Sequence, residues 1–188
     1  MNRILIVALA LCLEISARAA ALKAGVFEPP RQAPELSLRG SDGGELKLSR
    51  YRGKVVLLGF GFTNCADVCP VTLAVLASAR KNLGEAAKDV QVVYVTVDPE
   101  RDDAARMRNY LAHFDTSFIG GTGTPAQLEA VRKSYGVHAN KLASATGNAI
   151  DHSSSVYLID REGKLRAMMP YGKNAGDYVH DVKVLLQK

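Results

Sequence analysis

The sequence predicts an α/β domain with a central mixed sheet flanked by helices. Three observations lead to this fold class. Two short segments alternate leucine with polar residues around a glycine-containing turn, two near-continuous apolar runs have the pattern of strands buried on both faces, and helical spacing follows each of those runs. Because strands alternate with helices until a final hairpin and helix, we expect helices on both faces of the sheet.

The first predicted element is an N-terminal β-hairpin around the turn Ser41–Gly44. A strand over residues 54–60 follows, since that run is almost entirely apolar. Helical spacing begins after Pro70, a residue favoured in the first turn of a helix, and ends near Gly84. The hairpin strands are predicted from alternating leucines on either side of the turn, namely Leu36, Leu38, Leu46 and Leu48.

The second half of the chain continues the alternation of strands and helices. Residues 137–150 are polar and contain Gly and Ala, so we predict a loop there. The other predicted elements are a buried strand over 90–97, a helix over 102–114, a short strand at 118–119, a helix over 125–135, a strand over 155–160, its hairpin partner over 165–169 and a helix over 174–186.

Residues 1–21 have the composition of a secretory signal peptide. Arg3 gives a positive start, residues 4–13 are apolar, and Ala17–Ala19 offers small residues at the cleavage positions. An apolar run of this length is too short to cross a bilayer comfortably, so export is favoured over a retained anchor or a buried N-terminal helix.

The rest of the chain is predicted to be a linker and one domain. Residues 22–32 are expected to be extended, because Pro29 and Pro30 oppose helix formation. Residues 33–188 are enough to bury a core without disulfides. The net charge is only +5, tryptophan is absent and aromatic residues make up 6%, so the composition argues against nucleic-acid binding.

The cysteines mark the candidate working centre. Cys12 lies in the predicted signal peptide, so Cys65 and Cys69 are the two that remain after export. In an oxidising compartment such a pair forms a disulfide, binds a metal or alternates between these states. The pair lies where a buried strand ends and a helix begins, at the edge of the sheet where ligands gather. Because a helix N-terminus lowers the pKa of a thiol, we expect reactive thiolates here.

The spacing of the pair favours metal binding. Three residues separate Cys65 from Cys69, whereas thiol–disulfide oxidoreductases usually carry C-x-x-C. The wider spacing lets both sulfurs face one external atom, and two soft thiolates suit Cu(I), zinc or an iron–sulfur cluster. On spacing alone, a structural disulfide and a pair of buried thiols remain open.

His152 is the third candidate ligand, just before the predicted strand over 155–160. In the predicted topology, the approach to this antiparallel strand and the carboxyl end of the first central strand meet at one edge, so His152 is expected to converge on the cysteines. We assign His113, His138 and His180, on predicted helices or in the loop, to surface or hydrogen-bonding roles.

Four further residues are candidate contributors to the site. Asp67 and Asp98 stand close to it in the predicted topology, and each is expected to act either as a helix cap or as a hydrogen-bonding neighbour of the ligands. Met168 and Met169 offer soft sulfur, but on a terminal strand we assign them to the core.

Three blocks of the chain resemble the Sco/SenC family of copper-binding proteins. The first is Gly61–Pro70, with the sequence GFTNCADVCP, and the second is Val95–Asp102, with the sequence VTVDPERD. The third joins Asp151–Ser153 to Tyr157–Asp160. The blocks occur in the order of the family, and the resemblance extends from about residue 33 to the C-terminus.

The resemblance implies a thioredoxin-like domain over 33–188 that binds copper, as Cu(I) and also as Cu(II), through Cys65, Cys69 and His152. The two cysteines are then also a redox-active pair. The family's role implies delivery of copper to the binuclear copper site of cytochrome c oxidase, or reduction of the thiols of that site. The implied partner is the copper-bearing subunit of the oxidase or another copper or thiol protein. We expect a monomeric, soluble, membrane-proximal domain in the periplasm or cell envelope.

Two positions depart from the family pattern: Ala66 replaces a usual proline, and Asn64 replaces a frequent histidine. Neither change removes a ligand, although Ala66 leaves the loop backbone freer. The alternative function is that of an exported thiol–disulfide oxidoreductase. Such enzymes resemble one another in having a cis-proline before the strand that faces the cysteines, whereas residues 152–155 here read HSSS, which favours copper binding.

Overall fold

The computed structural model describes residues 21–141 and 150–187. The predicted signal peptide, residues 1–21, lies outside the described residues except for its last position. Among the residues described, no helix is long and apolar enough to cross a membrane.

Ten strands lie in the described part of the chain, and eight of them form one mixed sheet. They are β1 (Gly25–Gln32), β2 (Leu38–Gly40), β3 (Glu45–Leu46), β4 (Val55–Gly61), β5 (Val90–Thr96), β6 (Ile119–Thr122), β7 (Ala139–Lys141), β8 (Ile150–His152), β9 (Val156–Ile159) and β10 (Lys164–Met169). The large sheet has the order β1-β10-β9-β4-β5-β6-β2-β3. Strands β4, β5 and β6 run parallel, and the other neighbours in this sheet are antiparallel.

Four α-helices flank this sheet among the described residues, and two 3-10 segments lie in the connections, one between β3 and β4 and one between α1 and β5. The α-helices are α1 (Val68–Leu83), α2 (Ala104–Ala112), α3 (Pro125–Tyr135) and α4 (Ala175–Leu186), and the 3-10 segments are Leu48–Tyr51 and Gly84–Asp89. Helix α1 packs against α4, and α2 packs against β6. The predicted fold class, a mixed sheet with flanking helices and an N-terminal hairpin, is confirmed.

The core lies around the two central strands. Every residue of β4 and β5 is buried, as their apolar runs predicted. The hairpin leucines are buried as well, and Leu38 pairs with Leu46 across β2 and β3. Helix α2 approaches β6 so closely that a Cβ on Gly120 would lie 2.8 Å from the Cβ of Met107. Only glycine permits this contact, which brings α2 against the sheet next to the candidate site.

The structure differs from the linker predicted over residues 22–32. Residues 25–32 form β1, an edge strand paired antiparallel with β10. The chain is extended there, as Pro29 and Pro30 require, but it is also part of the sheet. The two prolines lie where the register shifts between Val26 and Arg31, and such an irregularity on an edge strand tolerates residues without an N–H donor.

A buried carboxylate attaches the start of this segment to α4. Asp181 is fully buried and accepts hydrogen bonds from the main-chain N–H groups of Lys23, at 2.8 Å, and Ala24, at 2.9 Å. Hydrogen bonds to a charged acceptor are stronger than neutral ones, so Asp181 holds the chain before β1 in place.

The loop predicted over residues 137–150 contains two short strands. β7 pairs antiparallel with β8, with Ala139 opposite His152 and Lys141 opposite Ile150, while residues 142–149 lie outside the described residues. This pairing connects residues distant in the loop, so local polarity did not reveal it. It sets His152 at the end of β8, just before β9 enters the large sheet.

Candidate metal centre

Cys65 and Cys69 lie between β4 and α1, at the carboxyl end of a buried strand as predicted. Cys65 is half-buried in the connecting loop, whereas Cys69 is the second residue of α1 and is fully buried. Both are free thiols. Asn64 and Ala66, the two departures from the family pattern, are exposed in the same loop.

His152 converges on this cysteine pair as the topology predicted. Its Nε2 lies 3.7 Å from the Sγ of Cys69, although 83 residues separate them in the chain. The imidazole packs edge-on against Phe62, with ring centroids 5.8 Å apart. Because β9 pairs antiparallel with β4, the residues before β9 reach the edge at which β4 ends. The sheet itself therefore brings the third predicted ligand to the cysteines.

The hydrogen bonding of His152 leaves Nε2 available as a donor atom for a metal. Its Nδ1 lies 2.8 Å from the main-chain oxygen of Ser153. A carbonyl only accepts hydrogen bonds, so Nδ1 carries the proton and the lone pair of Nε2 faces Cys69. Burial lowers the pKa of His152 below its ordinary value, which favours the neutral imidazole. In metal-binding histidines, the ring nitrogen that does not bind the metal usually donates its N–H to a carbonyl or a carboxylate, as Nδ1 does here.

His138 holds Ser153, and thereby supports His152. The main-chain N–H of Ser153 donates to the carbonyl of His138 at 3.1 Å, and the main-chain N–H of His138 donates to the hydroxyl of Ser153 at 3.2 Å. The same hydroxyl lies 2.8 Å from Nδ1 of His138. We assigned His138 to a surface role from its position in a loop. Its ring is indeed more than half exposed, but its contacts link it to the candidate site.

The buried position of Cys69 reverses the expectation of a lowered thiol pKa. Burial raises the pKa of Cys69 to about 12, and hydrogen bonds from Tyr94 and the backbone of Phe62 offset only part of that rise. The helix N-terminus does not overcome the loss of solvent. Cys69 is therefore a protonated thiol near neutral pH, and a metal that binds there must displace a proton.

The three predicted ligands lie in one region of the structure, but their side chains do not surround a single metal position. The sulfur of Cys69 lies 3.7 Å from Nε2 of His152, and Cys65 is near enough to raise the pKa of Cys69. Among residues 21–141 and 150–187, no three His, Cys, Asp or Glu side chains lie close enough together to enclose a metal ion as they stand. Cys65 belongs to the loop rather than to α1, so helix geometry does not fix the position of its sulfur.

A buried network fixes the loop that leads to Cys65, and the sequence did not reveal it. The carboxylate of Asp102 accepts hydrogen bonds from the main-chain N–H of Thr63 at 3.0 Å, from its hydroxyl at 2.6 Å and from the hydroxyl of Thr96 at 2.7 Å. Arg106 donates to the Thr63 hydroxyl at 2.7 Å. The predicted start of α2 at residue 102 was two residues early, because Asp103 is the N-cap.

Asp98 and Asp67, the other two aspartates near the site, differ in burial and in their contacts. Asp98 is buried, forms an ion pair with Arg101, and has one carboxylate oxygen without a hydrogen-bond partner in the described structure. The guanidinium of Arg101 lies 6.0 Å from the centre of the Phe62 ring, so this pair borders the site. Asp67 precedes α1 but makes no side-chain capping bond.

The two methionines and the histidines His113 and His180 form no hydrogen bond with the cysteines in the described structure. Met169 is buried in the core as expected, whereas Met168 is 37% exposed and does not belong to it. The ring of His113 contacts the carbonyl of Asn109, at 2.7 Å. His180 contacts the carboxylate of Asp181, and neither histidine is a candidate ligand.

Comparison with known proteins finds relatives over most of the described residues. The family model described as SCO1/SenC matches residues 28–187. Protein SCO1 homolog 1 of Arabidopsis thaliana mitochondria is 36% identical over 151 residues, which cover 79% of this chain and 43% of that protein. The chain spans about half the length of the first curated relatives that it matches. The matched part covers 43%, 58% and 54% of those three proteins.

Solved structures agree with the fold. Bradyrhizobium japonicum ScoI with copper bound has a TM-score of 0.76 and 33% identity, over 82% of this chain and 99% of ScoI. BsSco, described as a member of the Sco family of cytochrome c oxidase assembly proteins with a disulfide switch, has a TM-score of 0.68 and 25% identity, over 85% of this chain and 95% of BsSco.

Proposed function

The chain belongs to the SCO1/SenC family, and from this premise we propose that it binds copper through Cys65, Cys69 and His152 and passes that copper to another protein. The observation that carries the proposal is the 3.7 Å approach of Nε2 of His152, with its lone pair free, to the sulfur of Cys69. Copper is the cargo in this proposal, so the site must both bind it and release it.

The donor atoms suit copper in both oxidation states. Two thiolates are soft ligands that select Cu(I), and a neutral imidazole also suits Cu(II). The fold-matched ScoI holds copper. Cys65 is half-exposed while Cys69 is buried, so one ligand is accessible to a recipient protein while the other keeps the metal on the domain.

The recipient follows from the family. BsSco belongs to a family of cytochrome c oxidase assembly proteins. We propose that this chain delivers copper to the binuclear copper site on the copper-bearing subunit of that oxidase, as a monomer. Residues 1–21, nearly all outside the described residues, have the composition of a signal peptide, and they support export to the periplasm or cell envelope.

A second candidate function is reduction of the thiols of that same copper site. It is favoured by one observation: Cys65 and Cys69 are both free thiols, and Cys65 is near enough to raise the pKa of Cys69. In that reaction the two thiols transfer two electrons and two protons to a disulfide of the partner, and a disulfide between Cys65 and Cys69 remains. The high pKa of Cys69 makes the half-exposed Cys65 the attacking residue.

Copper stoichiometry of the reduced full chain tests the proposal. We expect one copper ion per wild-type chain, and at least a tenfold loss of affinity in His152→Ala, since loss of even a hydrogen-bonding partner of a metal ligand typically reduces affinity by about 10–100-fold. His113→Ala is the matched control, because among the described residues its ring bonds only to the carbonyl of Asn109 in the same helix region. Equal high affinity in His152→Ala would remove His152 from the site. Steady catalytic reduction of a small disulfide by the copper-free chain would instead favour the second function.

A further inference from the structure

Tyr94 extends from the central strand β5 to the candidate copper site. It is 2% exposed, and β5 places it beside Gly59 of β4 in the parallel register. A Cβ on Gly59 would lie 2.9 Å from the Tyr94 ring, and a Cβ on Gly61 would lie 2.0 Å from the Tyr94 hydroxyl. The two glycines therefore provide the space in which the tyrosine ring lies along β4.

The same space holds the sulfur of Cys69. A Cβ on Gly61 would lie 2.8 Å from Sγ of Cys69, so the hydroxyl and the sulfur both pack on the bare backbone of that glycine. The Tyr94 hydroxyl also lowers the pKa of Cys69, against the larger rise that burial causes, as a donor directed at the sulfur does. A tyrosine hydroxyl is a donor near neutral pH, and sulfur accepts weakly as a thiol and more strongly as a thiolate. The sulfur of Cys69 thus has two polar neighbours on different elements, Tyr94 and His152.

We propose that Tyr94 is a positioning residue for the Cys69 sulfur, holding it against Gly61 by a hydrogen bond from its hydroxyl and drawing electron density from it when it binds copper. The part that concerns copper rests on the proposed function, whereas the part that concerns the metal-free thiol does not. Hydrogen bonds to a ligating sulfur are a recognised means by which proteins tune metal sites.

A second tyrosine provides a matched control, because it is near enough to both cysteines for them to raise its pKa but its hydroxyl donates to neither. The hydroxyl of Tyr110, on α2, is buried without a hydrogen-bond partner among the described residues, and its ring packs against Phe114 with centroids 5.4 Å apart. Tyr94→Phe and Tyr110→Phe each remove one buried hydroxyl and keep the ring. Only the first removes a hydrogen bond to sulfur.

The first experiment uses the metal-free full chain at equilibrium with dithiothreitol. The protein disulfide takes two electrons and two protons from the reagent, which gives the thiols of Cys65 and Cys69 and the cyclic disulfide of dithiothreitol. We expect Tyr94→Phe to shift the equilibrium constant about three- to tenfold toward the protein disulfide, because the reduced Cys69 loses its hydrogen bond. Tyr110→Phe should stay within about twofold of wild type. An unshifted Tyr94→Phe variant with an unchanged circular dichroism spectrum would overturn the positioning role.

The second experiment uses the chain loaded with Cu(II). Removal of a hydrogen bond raises the energy of the thiolate lone pair, so the sulfur-to-copper charge-transfer band of Tyr94→Phe should move to longer wavelength, with the band of Tyr110→Phe unmoved. A fixed band in Tyr94→Phe would contradict the electronic part of the proposal. If the wild-type chain binds no copper, the proposed function fails, and the dithiothreitol equilibrium still decides the role of Tyr94.

Discussion

The carboxylate of Asp102 accepts hydrogen bonds from both the main-chain N–H and the side-chain hydroxyl of Thr63. Asp102 precedes α2, and Thr63 lies two residues before Cys65, so this pair joins one helix to the loop that carries a candidate ligand. The position of Cys65 thus depends on a residue 37 positions further along the chain.

Replacement of this carboxylate should weaken both the fold and the site. Asp102→Ala leaves one buried and two partly buried donors without their acceptor, and we expect the free energy of unfolding to fall by about 3 kcal/mol. Copper affinity should fall as well, because the loop before Cys65 loses its anchor. Chemical denaturation and a copper competition assay measure the two effects.

Asp103→Ala is the control for that variant. Asp103 caps α2 through a bond from the N–H of Arg106, so its loss should lower stability by about 1 kcal/mol and leave copper affinity unchanged. Equal losses of copper affinity in the two variants would mean that α2 as a whole, rather than the Asp102 carboxylate, supports the site.

His138→Ala should reduce copper affinity several-fold, although His138 is not a proposed ligand. The variant removes the ring that contacts the Ser153 hydroxyl, and Ser153 holds Nδ1 of His152 through its carbonyl. The loss should be smaller than that of His152→Ala. His180→Ala, whose ring contacts Asp181 on α4, serves as the control and should bind copper like wild type. Unchanged affinity in His138→Ala would show that the backbone alone orients His152.

The raised pKa of Cys69 predicts slow alkylation that accelerates with pH. With a pKa of about 12, the thiol is almost entirely protonated at pH 8. In a Cys65→Ser background without metal, iodoacetamide should modify Cys69 on the order of 1,000-fold more slowly than an ordinary cysteine, with about a tenfold rise per pH unit below the pKa. Mass spectrometry of timed samples gives the rates. A rate that levels off near pH 8 would contradict the burial effect.

The same group makes stability depend on alkaline pH. The folded pKa of Cys69 lies above the value for an unfolded chain, so its contribution is complete below the unfolded pKa of about 8.5 and is lost as the pH rises toward 12. Cys69→Ala should show a smaller fall in the free energy of unfolding over that interval than wild type, as measured by urea denaturation at several pH values.

Asp181→Ala tests whether the segment before β1 is held by α4. The variant removes the acceptor of two main-chain N–H groups, those of Lys23 and Ala24, and should lower the free energy of unfolding by about 2 kcal/mol. Amide hydrogen exchange over residues 25–32 should accelerate more than in the core. Asp177→Ala removes the partner of the Lys23 ammonium and the capping-box acceptor of the Asn174 N–H, but no bond to the main chain before β1, so exchange there should stay near wild type. Equal acceleration in the two variants would contradict the anchoring role of Asp181.

The fold was largely predictable from the sequence because its strongest signals are local. The apolar runs of β4 and β5 and the capped helix α3 appear at or within about a residue of their predicted bounds. The convergence of His152 on the cysteines was predictable for a different reason, since the order of strands in the sheet determines which ends share an edge.

Features that depend on distant partners could not be predicted. Residues 25–32 are extended whether they form a linker or an edge strand, and only the pairing with β10 distinguishes the two. The pKa of Cys69 depends on burial beneath other elements, which the helix N-terminus alone does not reveal. The sequence around Asp102 indicates only the start of a helix. Its hydrogen bonds to Thr63 could not be predicted, because Thr63 lies on another segment.

X-ray absorption at the copper K edge of the copper-loaded full chain tests the central claim most directly. The proposed site predicts two sulfur scatterers and one imidazole nitrogen, from Cys65, Cys69 and His152, with the nitrogen pattern lost in His152→Ala. A copper shell with a single sulfur, or one that keeps its imidazole signal in His152→Ala, would contradict the three-ligand site.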